Sequence, residues 1–177
     1  MSPAIDVLTE RLEGLMPRHA LVLGSGLGSL VETVSDPIRI PYGDLPGFPE
    51  SGVSGHAGEV VAGLIGKTPV VILSGRVHYY ENGRADAMRA PLEALKGIGV
   101  TNLILTNSAG SLRNDMPPGS VMRISDHINF SGTNPLFGEP SDGRFVGMTS
   151  AYDAEMGERM KAAAQSTGTE LHEGVYM

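Results

Sequence analysis

The hydrophobic positions of this chain form two patterns, short continuous runs and stripes at helical spacing. Continuous apolar runs that stop at glycine-containing turns are typical of buried strands. Apolar residues that recur every three or four positions are typical of helices with one buried face. The stripes predict helices over 2–15, 84–97 and 152–166. The runs predict strands over 20–24, 59–65, 69–74, 100–106, 119–125 and 171–177.

Turn-forming residues refine two of these elements. Gly66-Lys67-Thr68 separates the strands over 59–65 and 69–74, which predicts a hairpin. Pro91 stands inside the stripe over 84–97, where it removes a backbone hydrogen bond, so we expect a kink or a late start of that helix. Two segments rich in Gly, Pro and Ser or Asp are predicted to be mostly loop, namely 35–58 and 131–150.

The alternation of strands, helices and glycine turns predicts the fold class. This order is typical of α/β domains. We expect one α/β domain over 1–177, built on a mixed, mainly parallel twisted sheet that is flanked by helices. The hairpin is the reason to expect a mixed sheet, because directly joined neighbours are antiparallel. A chain of 177 residues is long enough for one such domain with a sizeable core.

Composition and charge exclude several classes of protein. Hydrophobic residues make up 41% and charged residues 19%, as is usual for soluble globular proteins. The formal net charge of −7 argues against a nucleic-acid binder, which needs a basic surface. No apolar run approaches the ~18 residues of a membrane helix, and no signal pattern opens the chain, so we expect a cytoplasmic protein without a membrane partner. With 0 cysteines, disulfides and thiolate chemistry are excluded.

Three of the predicted strands end in small or polar residues. Glycine lets backbone N–H groups approach an anion closely, and serine hydroxyls add donors. Arginine supplies a permanently charged, planar fork that suits phosphate. Ligands of open α/β sheets collect beyond the carboxyl ends of the strands. We therefore expect an oxyanion site, most simply for phosphate, built from Gly24-Ser25-Gly26, Gly75-Arg76-Val77-His78 and Asn107-Ser108-Ala109-Gly110.

Two other interpretations of these turns stay open. Arg76 and His78 could belong to an ordinary polar loop after a strand. The glycines at 24–28 could be a dinucleotide fingerprint, but Ser29 stands where its third glycine belongs and Asp44 lies in a Pro/Gly loop. The hydrolase motif G-x-S-x-G is absent, and no spacing of His, Asp and Glu resembles a metal site.

Several motifs follow one another in a fixed order from about residue 20 to the last residue. They are Leu23-Gly24-Ser25-Gly26-Leu27-Gly28, Pro49 with Gly55-His56-Ala57-Gly58, Gly75-Arg76-Val77-His78-Tyr79-Tyr80-Glu81, Thr106-Asn107-Ser108-Ala109-Gly110, Asp126-His127-Ile128-Asn129, Phe145 with Met148-Thr149-Ser150-Ala151-Tyr152, and Glu173-Gly174-Val175-Tyr176. With this content and order, the chain resembles the trimeric class of purine nucleoside phosphorylases. One glycine motif would be weak evidence, whereas so many in consistent order are specific.

The resemblance implies a reaction and a part in purine salvage. Orthophosphate attacks the anomeric carbon of a purine ribonucleoside or deoxyribonucleoside, and the products are the free base and a pentose 1-phosphate. No metal or cofactor is implied, since phosphate is a co-substrate. The enzyme would be a cytoplasmic pentosyltransferase and a homotrimer.

The resemblance also implies roles for individual residues. Phosphate would be held by Ser25, His56, Arg76, His78 and the backbone at Ser108. Of these, Arg76 and His78 would act catalytically. Tyr80 would contact the ribose hydroxyls, and Phe145 would close the sugar site of a neighbouring subunit.

The chain departs from the family pattern in two substitutions and in length. Ser108 stands where the family usually has alanine, and Ser111 replaces a common glycine, so substrate preference stays open. Family members continue well beyond the Gly-Val-Tyr motif, and their later residues hold the purine. We therefore expect the C-terminal portion of the domain to be missing here, and a 177-residue product to be inactive and poorly stable.

The sequence leaves two alternatives to a purine nucleoside phosphorylase. The related 5′-methylthioadenosine phosphorylases differ in the glycine turn and lack the pattern formed here by Arg76, His78 and Tyr80. Comparison of methylthioadenosine with inosine and guanosine as substrates separates these two enzymes. A non-catalytic module would bind phosphate without cleaving a nucleoside.

Overall fold

The computed structural model describes residues 2–49 and 58–177, which form two compact units, Met1–Ser108 and Ala109–Met177. The helices are α1 Pro3–Arg11, α2 Tyr79–Asn82, α3 Arg89–Gly97 and α4 Ala154–Thr167. The strands are β1 His19–Val22, β2 Ser35–Pro41, β3 Glu59–Ile65, β4 Thr68–Ser74, β5 Asn102–Leu105, β6 Val121–His127 and β7 Leu171–Tyr176. Short 3-10 helices cover Gly28–Thr33, Tyr42–Asp44 and Asp142–Arg144.

The first unit is built on a five-stranded sheet with the order β2-β3-β4-β1-β5. β1 lies between β4 and β5 and is parallel to both, whereas β2, β3 and β4 are antiparallel neighbours. The β3–β4 pairing confirms the predicted hairpin. The predicted fold class, a mixed α/β sheet flanked by helices, is confirmed as well. The prediction of one domain over 1–177 stays a prediction.

Apolar side chains fill both faces of this sheet. One cluster packs α1 and α3 against the sheet through residues such as Leu8, Leu95 and Leu73. The other covers the opposite face with Leu23, Ile72 and the side chains of the 3-10 helix at Gly28–Thr33. Burial on both faces explains why β3 and β4 appear in the sequence as nearly continuous apolar runs.

The prediction that residues 35–58 are mostly loop is wrong for β2. Residues 35–41 pair with β3, and Ile40 is fully buried while Arg39 on the other side of the strand forms ion pairs with Glu32 and Glu59. Proline is tolerated here because β2 is an edge strand, and the pairing is irregular between Ser35 and Ile38. The prolines favoured a loop prediction for a segment that is a strand paired with β3.

Helix boundaries differ from the sequence predictions at identifiable residues. α3 begins at Arg89 rather than at 84, which confirms the late start expected from Pro91. Pro91 falls in the first turn, where a backbone N–H has no intrahelical partner in any case. α1 ends at Arg11, earlier than the predicted 15, and the chain continues through turns at Glu13 and Leu15.

The second unit contains a parallel β6–β7 ladder and α4. Asp153 caps α4 by accepting a hydrogen bond from the Met156 N–H at 2.7 Å. Across the ladder, the Arg123 guanidinium donates to the Glu173 carboxylate. Within Ala109–Met177, Gly157 alone among the described residues is buried. In the part of the chain that the structure describes, every helix is too short or too polar to span a bilayer.

Candidate phosphate-binding site

The three strands that carry the candidate phosphate motifs are adjacent in the sheet. Val22 of β1 is in register with Leu73 of β4 and with Leu105 of β5, and all three strands run in the same direction. Their carboxyl ends therefore meet at one edge. The residues that follow β4, β1 and β5 are Gly75-Arg76, Leu23-Gly24-Ser25 and Thr106-Asn107-Ser108.

Arg76 is half-buried at the end of β4. Its Nη1 donates a hydrogen bond to the carbonyl oxygen of Thr106, the first residue after β5. This contact crosses β1 and links the two outer strands of the trio. A guanidinium has five N–H donors, so a contact that fixes one nitrogen is compatible with binding of an anion by the same group.

His78 and Tyr80 form a stacked pair after the arginine. Their ring centroids lie 4.9 Å apart with an interplanar angle of 11°. The backbone N–H of His78 donates to the Glu81 carboxylate at 2.6 Å, which holds His78 at the start of α2. His78 is half-buried, whereas Tyr80 is 77% exposed, so the tyrosine presents a flat polar-tipped face to solvent.

The two predicted serines are exposed at the same edge of the sheet. Ser25 follows the buried Gly24 at the end of β1. Ser108 follows Asn107, whose side-chain amide donates to the Ser108 carbonyl oxygen at 3.3 Å. Both serines can offer a hydroxyl and a backbone N–H to an anion.

His56 and Phe145 have different outcomes. His56 lies outside the described residues. Phe145 belongs to the second unit, where it follows the 3-10 helix Asp142–Arg144 and is 74% exposed. The Arg144 guanidinium carbon lies 4.8 Å from the centroid of the Phe145 ring, a cation–π distance.

Sequence reasoning missed Tyr42, which supports the end of β4. The Tyr42 hydroxyl donates to the Gly75 carbonyl oxygen at 2.7 Å, and the residue is only 4% exposed. Burial, with a smaller contribution from Glu59, raises the pKa of Tyr42, so the phenol stays a donor. Gly75 has φ of +127°, a conformation that favours glycine. The only signal in the sequence is a tyrosine within a segment whose composition predicts a loop.

Sequence reasoning also missed the special position of Thr106. Its hydroxyl accepts from the Gly24 N–H at 2.9 Å and donates to the Val22 carbonyl oxygen at 3.1 Å. Thr106 thus contacts the end of β1 through its side chain and Arg76 through its carbonyl. A polar residue directly after a predicted apolar strand was the available signal, but its partners are 30 to 84 residues away.

The arrangement suits an anion better than a metal ion. It places a guanidinium, an imidazole, two hydroxyls and several backbone N–H groups at one sheet edge. These groups are mainly hydrogen-bond donors, which phosphate requires. Among residues 2–49 and 58–177, no three His, Asp or Glu side chains cluster as metal ligands would.

Comparison with known proteins finds a matching family model and several relatives. A family model described as the phosphorylase superfamily matches residues 18–177. Purine nucleoside phosphorylase 1 of Geobacillus stearothermophilus is 44% identical over 165 residues, which are 91% of this chain and 60% of that protein. Purine nucleoside phosphorylase 1 of Bacillus subtilis is 40% identical over 164 residues, which are 90% of this chain and 60% of that protein.

A solved structure shows the same fold. The crystal structure of isoform 2 of purine nucleoside phosphorylase from Schistosoma mansoni, in complex with cytosine and ribose-1-phosphate, has a TM-score of 0.89 and 34% sequence identity. The match covers 98% of this chain and 64% of the Schistosoma mansoni chain. The chain spans about 60% of the length of the curated relatives named above. Because the family model covers nearly the whole chain, this protein belongs to the phosphorylase superfamily.

Proposed function

We propose that this chain carries the phosphate site and part of the sugar site of a purine nucleoside phosphorylase. The observation that carries the proposal is the meeting of the β4, β1 and β5 ends at one edge, with Ser25, Arg76 and Ser108 on the three turns. The curated relatives named as purine nucleoside phosphorylases support the choice of substrate. The Schistosoma mansoni enzyme was solved in complex with ribose-1-phosphate, a molecule that contains both the phosphate and the pentose.

In the proposed reaction, a phosphate oxygen forms a bond to the anomeric carbon of the sugar. The bond from that carbon to the purine nitrogen breaks, and its electron pair leaves with the base, which takes up a proton. The sugar becomes oxocarbenium-like as this bond breaks, as in glycoside hydrolysis. A phosphate dianion held in line is both the nucleophile and a counter-charge to this cation.

Each residue of the site has a part in holding that dianion. Arg76 neutralises charge and orients two oxygens, and His78 donates to a third. Ser25 and the backbone at Ser108 supply neutral donors, and His56 belongs to the same proposed set. Tyr80 stacks on His78, which is one of the proposed phosphate-binding residues. The Tyr80 hydroxyl would therefore lie beside the bound phosphate and contact the ribose hydroxyls.

The proposal also includes the assembly. Phe145, with its exposed ring, would close the sugar site of a neighbouring subunit in a homotrimer. The enzyme would act in purine salvage in the cytoplasm, with purine nucleoside and orthophosphate as substrates and without a metal.

A chimeric enzyme tests the proposal. The chimera joins residues 1–177 to the C-terminal portion of the Geobacillus stearothermophilus relative that lies beyond the matched region. We expect phosphate-dependent release of base from inosine or guanosine by the chimera, and no turnover by the 177-residue chain alone. In the chimera, Arg76→Gln should lower kcat/KM by about 100-fold or more, the usual effect of removing one donor to developing charge.

Lys67→Gln is the matched control. It also removes one positive charge, but at the hairpin turn that precedes β4, at the end of the strand remote from Arg76. Its kcat/KM should equal that of the unmodified chimera. A folded chimera that binds no phosphate, or an Arg76→Gln chimera with unchanged kcat/KM, would contradict the proposal.

A further inference from the structure

The ladder between β1 and β5 ends in an irregular hydrogen bond. In a regular parallel ladder, a residue donates its N–H to one residue of the neighbouring strand and accepts, at its carbonyl, from the residue two positions further along. Thr106 follows the first half of this rule, since its N–H donates to the Val22 carbonyl oxygen at 3.1 Å. The regular partner of its carbonyl would be the N–H of Gly24.

The Thr106 hydroxyl takes that N–H instead. Gly24 donates to Oγ1 at 2.9 Å, and the hydroxyl donates its own proton to the Val22 carbonyl oxygen at 3.1 Å. One side chain therefore satisfies the Gly24 donor and adds a second hydrogen bond to the Val22 carbonyl oxygen, which already accepts from the Thr106 N–H. The Thr106 carbonyl oxygen is left for another donor, and the Arg76 guanidinium occupies it.

The close approach of the two strand ends is part of the same arrangement. A Cβ atom placed on Gly24 would lie 2.5 Å from the Thr106 carbonyl oxygen and 2.9 Å from the Cα of Asn107. Both are backbone atoms, which cannot move aside as a side chain can. The Gly24 Cα thus lies close to the Thr106 carbonyl oxygen that accepts from Arg76, whereas the Gly24 N–H donates to the Thr106 hydroxyl.

We infer that Thr106 is a positioning residue of the proposed phosphate site. Its hydroxyl replaces its carbonyl as the partner of Gly24, and so keeps the carbonyl available to orient the Arg76 guanidinium. The same hydroxyl fixes the start of the Ser25 turn. Thr106 itself does not touch the substrate; it sets Arg76 and Ser25 relative to each other across the trio of strands. This inference rests on the proposed function for its ligand, inorganic phosphate.

Threonine, valine and serine at position 106 should differ in how well they position Arg76. Valine replaces the hydroxyl of threonine by a methyl group, so the Gly24 N–H would turn to the Thr106 carbonyl oxygen. That oxygen can accept two hydrogen bonds, but the Arg76 guanidinium would have to shift to share it with Gly24. Serine keeps the hydroxyl and loses only the methyl group. A role in packing alone would therefore make serine the more damaging change, whereas the positioning role makes valine the more damaging one.

The test uses the 177-residue protein with Thr106→Val and Thr106→Ser. Three quantities are measured: the affinity for inorganic phosphate by titration calorimetry, the NMR signal of the Arg76 side-chain Nε–H, and hydrogen exchange at the Gly24 amide. We expect Thr106→Val to weaken phosphate binding about tenfold or more, since the arginine contact is charge-assisted. The Arg76 signal should shift and broaden. Thr106→Ser should stay within about threefold of the unmodified protein in phosphate affinity.

The outcomes separate the inference from the proposed function. If Thr106→Val leaves both the phosphate affinity and the Arg76 signal unchanged, the inference is wrong. Phosphate binding by the unmodified protein would still support the proposed function. Loss of binding in Thr106→Ser equal to that in Thr106→Val also overturns the inference, because serine keeps the hydroxyl on which the positioning role depends. Absence of phosphate binding by the unmodified protein overturns the proposed phosphate site. In that case, a shifted Arg76 signal in Thr106→Val would still support the inference that Thr106 positions the Arg76 guanidinium.

Discussion

The two units of this chain are stabilised in different ways. Every buried apolar side chain of the described residues lies between Ala4 and Leu95, in the first unit. In the second unit, the ladder of β6 and β7, a capped α4 and several ion pairs supply the contacts, while Phe130, Phe137 and Phe145 are at least 74% exposed. Since burial of apolar surface is the dominant favourable term in folding, the first unit carries most of the chain's own stability.

This difference separates two groups of candidate residues. The candidate phosphate ligands Ser25, Arg76 and Ser108 are attached to strands of the unit that has its own core. Phe145 is attached to the unit whose aromatic side chains face solvent. The 74% exposure of Phe145 is compatible with the proposed contact of its ring with a neighbouring subunit.

The largest effect should come from a cavity in the first core. Ile72 on β4 is fully buried, whereas Val175 on β7 is 56% exposed. Ile72→Ala should lower the free energy of unfolding by about 3 to 4 kcal/mol, because it removes buried methylene groups and leaves a void. Val175→Ala should cost less than about 0.5 kcal/mol. Urea denaturation measures both, and similar losses would break the comparison between the units.

A methyl group on Gly24 should be the next most harmful change. Its Cβ would lie 2.5 Å from the Thr106 carbonyl oxygen, so Gly24→Ala must displace a strand end and should cost about 2 to 3 kcal/mol. Gly28→Ala is the matched control, since no atom lies within 4 Å of its added Cβ. Thermal unfolding of both variants checks the expectation. Equal melting temperatures would show that the two strand ends are not tightly apposed.

Removal of the Tyr42 hydroxyl should have a smaller effect. Tyr42→Phe leaves the Gly75 carbonyl oxygen without its donor and should lower the free energy of unfolding by about 1 to 2 kcal/mol. Tyr79→Phe should change it by less than about 0.5 kcal/mol, because Tyr79 is 51% exposed. Urea denaturation of the two variants measures the difference. The idea that Tyr42 supports the β4 end fails if Tyr79→Phe is as destabilising as Tyr42→Phe.

The smallest expected effect is a loss of amide protection in the second unit at low pH. A hydrogen bond from Arg123, with help from Lys161, holds the pKa of Glu173 below its ordinary value. A carboxylate with a lowered folded pKa stabilises the folded state above its ordinary pKa, and this contribution is lost as the pH falls through the lowered value. Amides of β6 and β7 should therefore lose protection below about pH 4, after correction for intrinsic exchange rates.

Glu173→Gln is the control for this acid effect. Glutamine cannot ionise, so the variant should show weaker but pH-independent protection of the β6 and β7 amides over the same range. Amides of β3 and β4 should be unaffected by the substitution. The same pH dependence in Glu173→Gln would assign the acid effect to another carboxylate.

Local sequence patterns anticipated much of the first unit. The apolar runs at 59–65 and 69–74 and the turn at Gly66-Lys67 led to the correct hairpin, because burial period and turn chemistry are local properties. Pro91 correctly implied a late helix start. β2 was missed because its prolines are compatible with an edge strand, and the sequence does not say which strand lies at an edge.

The candidate site divides in the same way. The sequence by itself determined which residue types stand after each apolar strand, and hence the candidates Ser25, Arg76, His78 and Ser108. Only the tertiary structure decided that β1 lies between β4 and β5, and that Tyr42 and Thr106 hold the ends of these strands. The physical reason is that a strand's period depends on near neighbours, whereas each of these hydrogen bonds joins residues 30 or more positions apart.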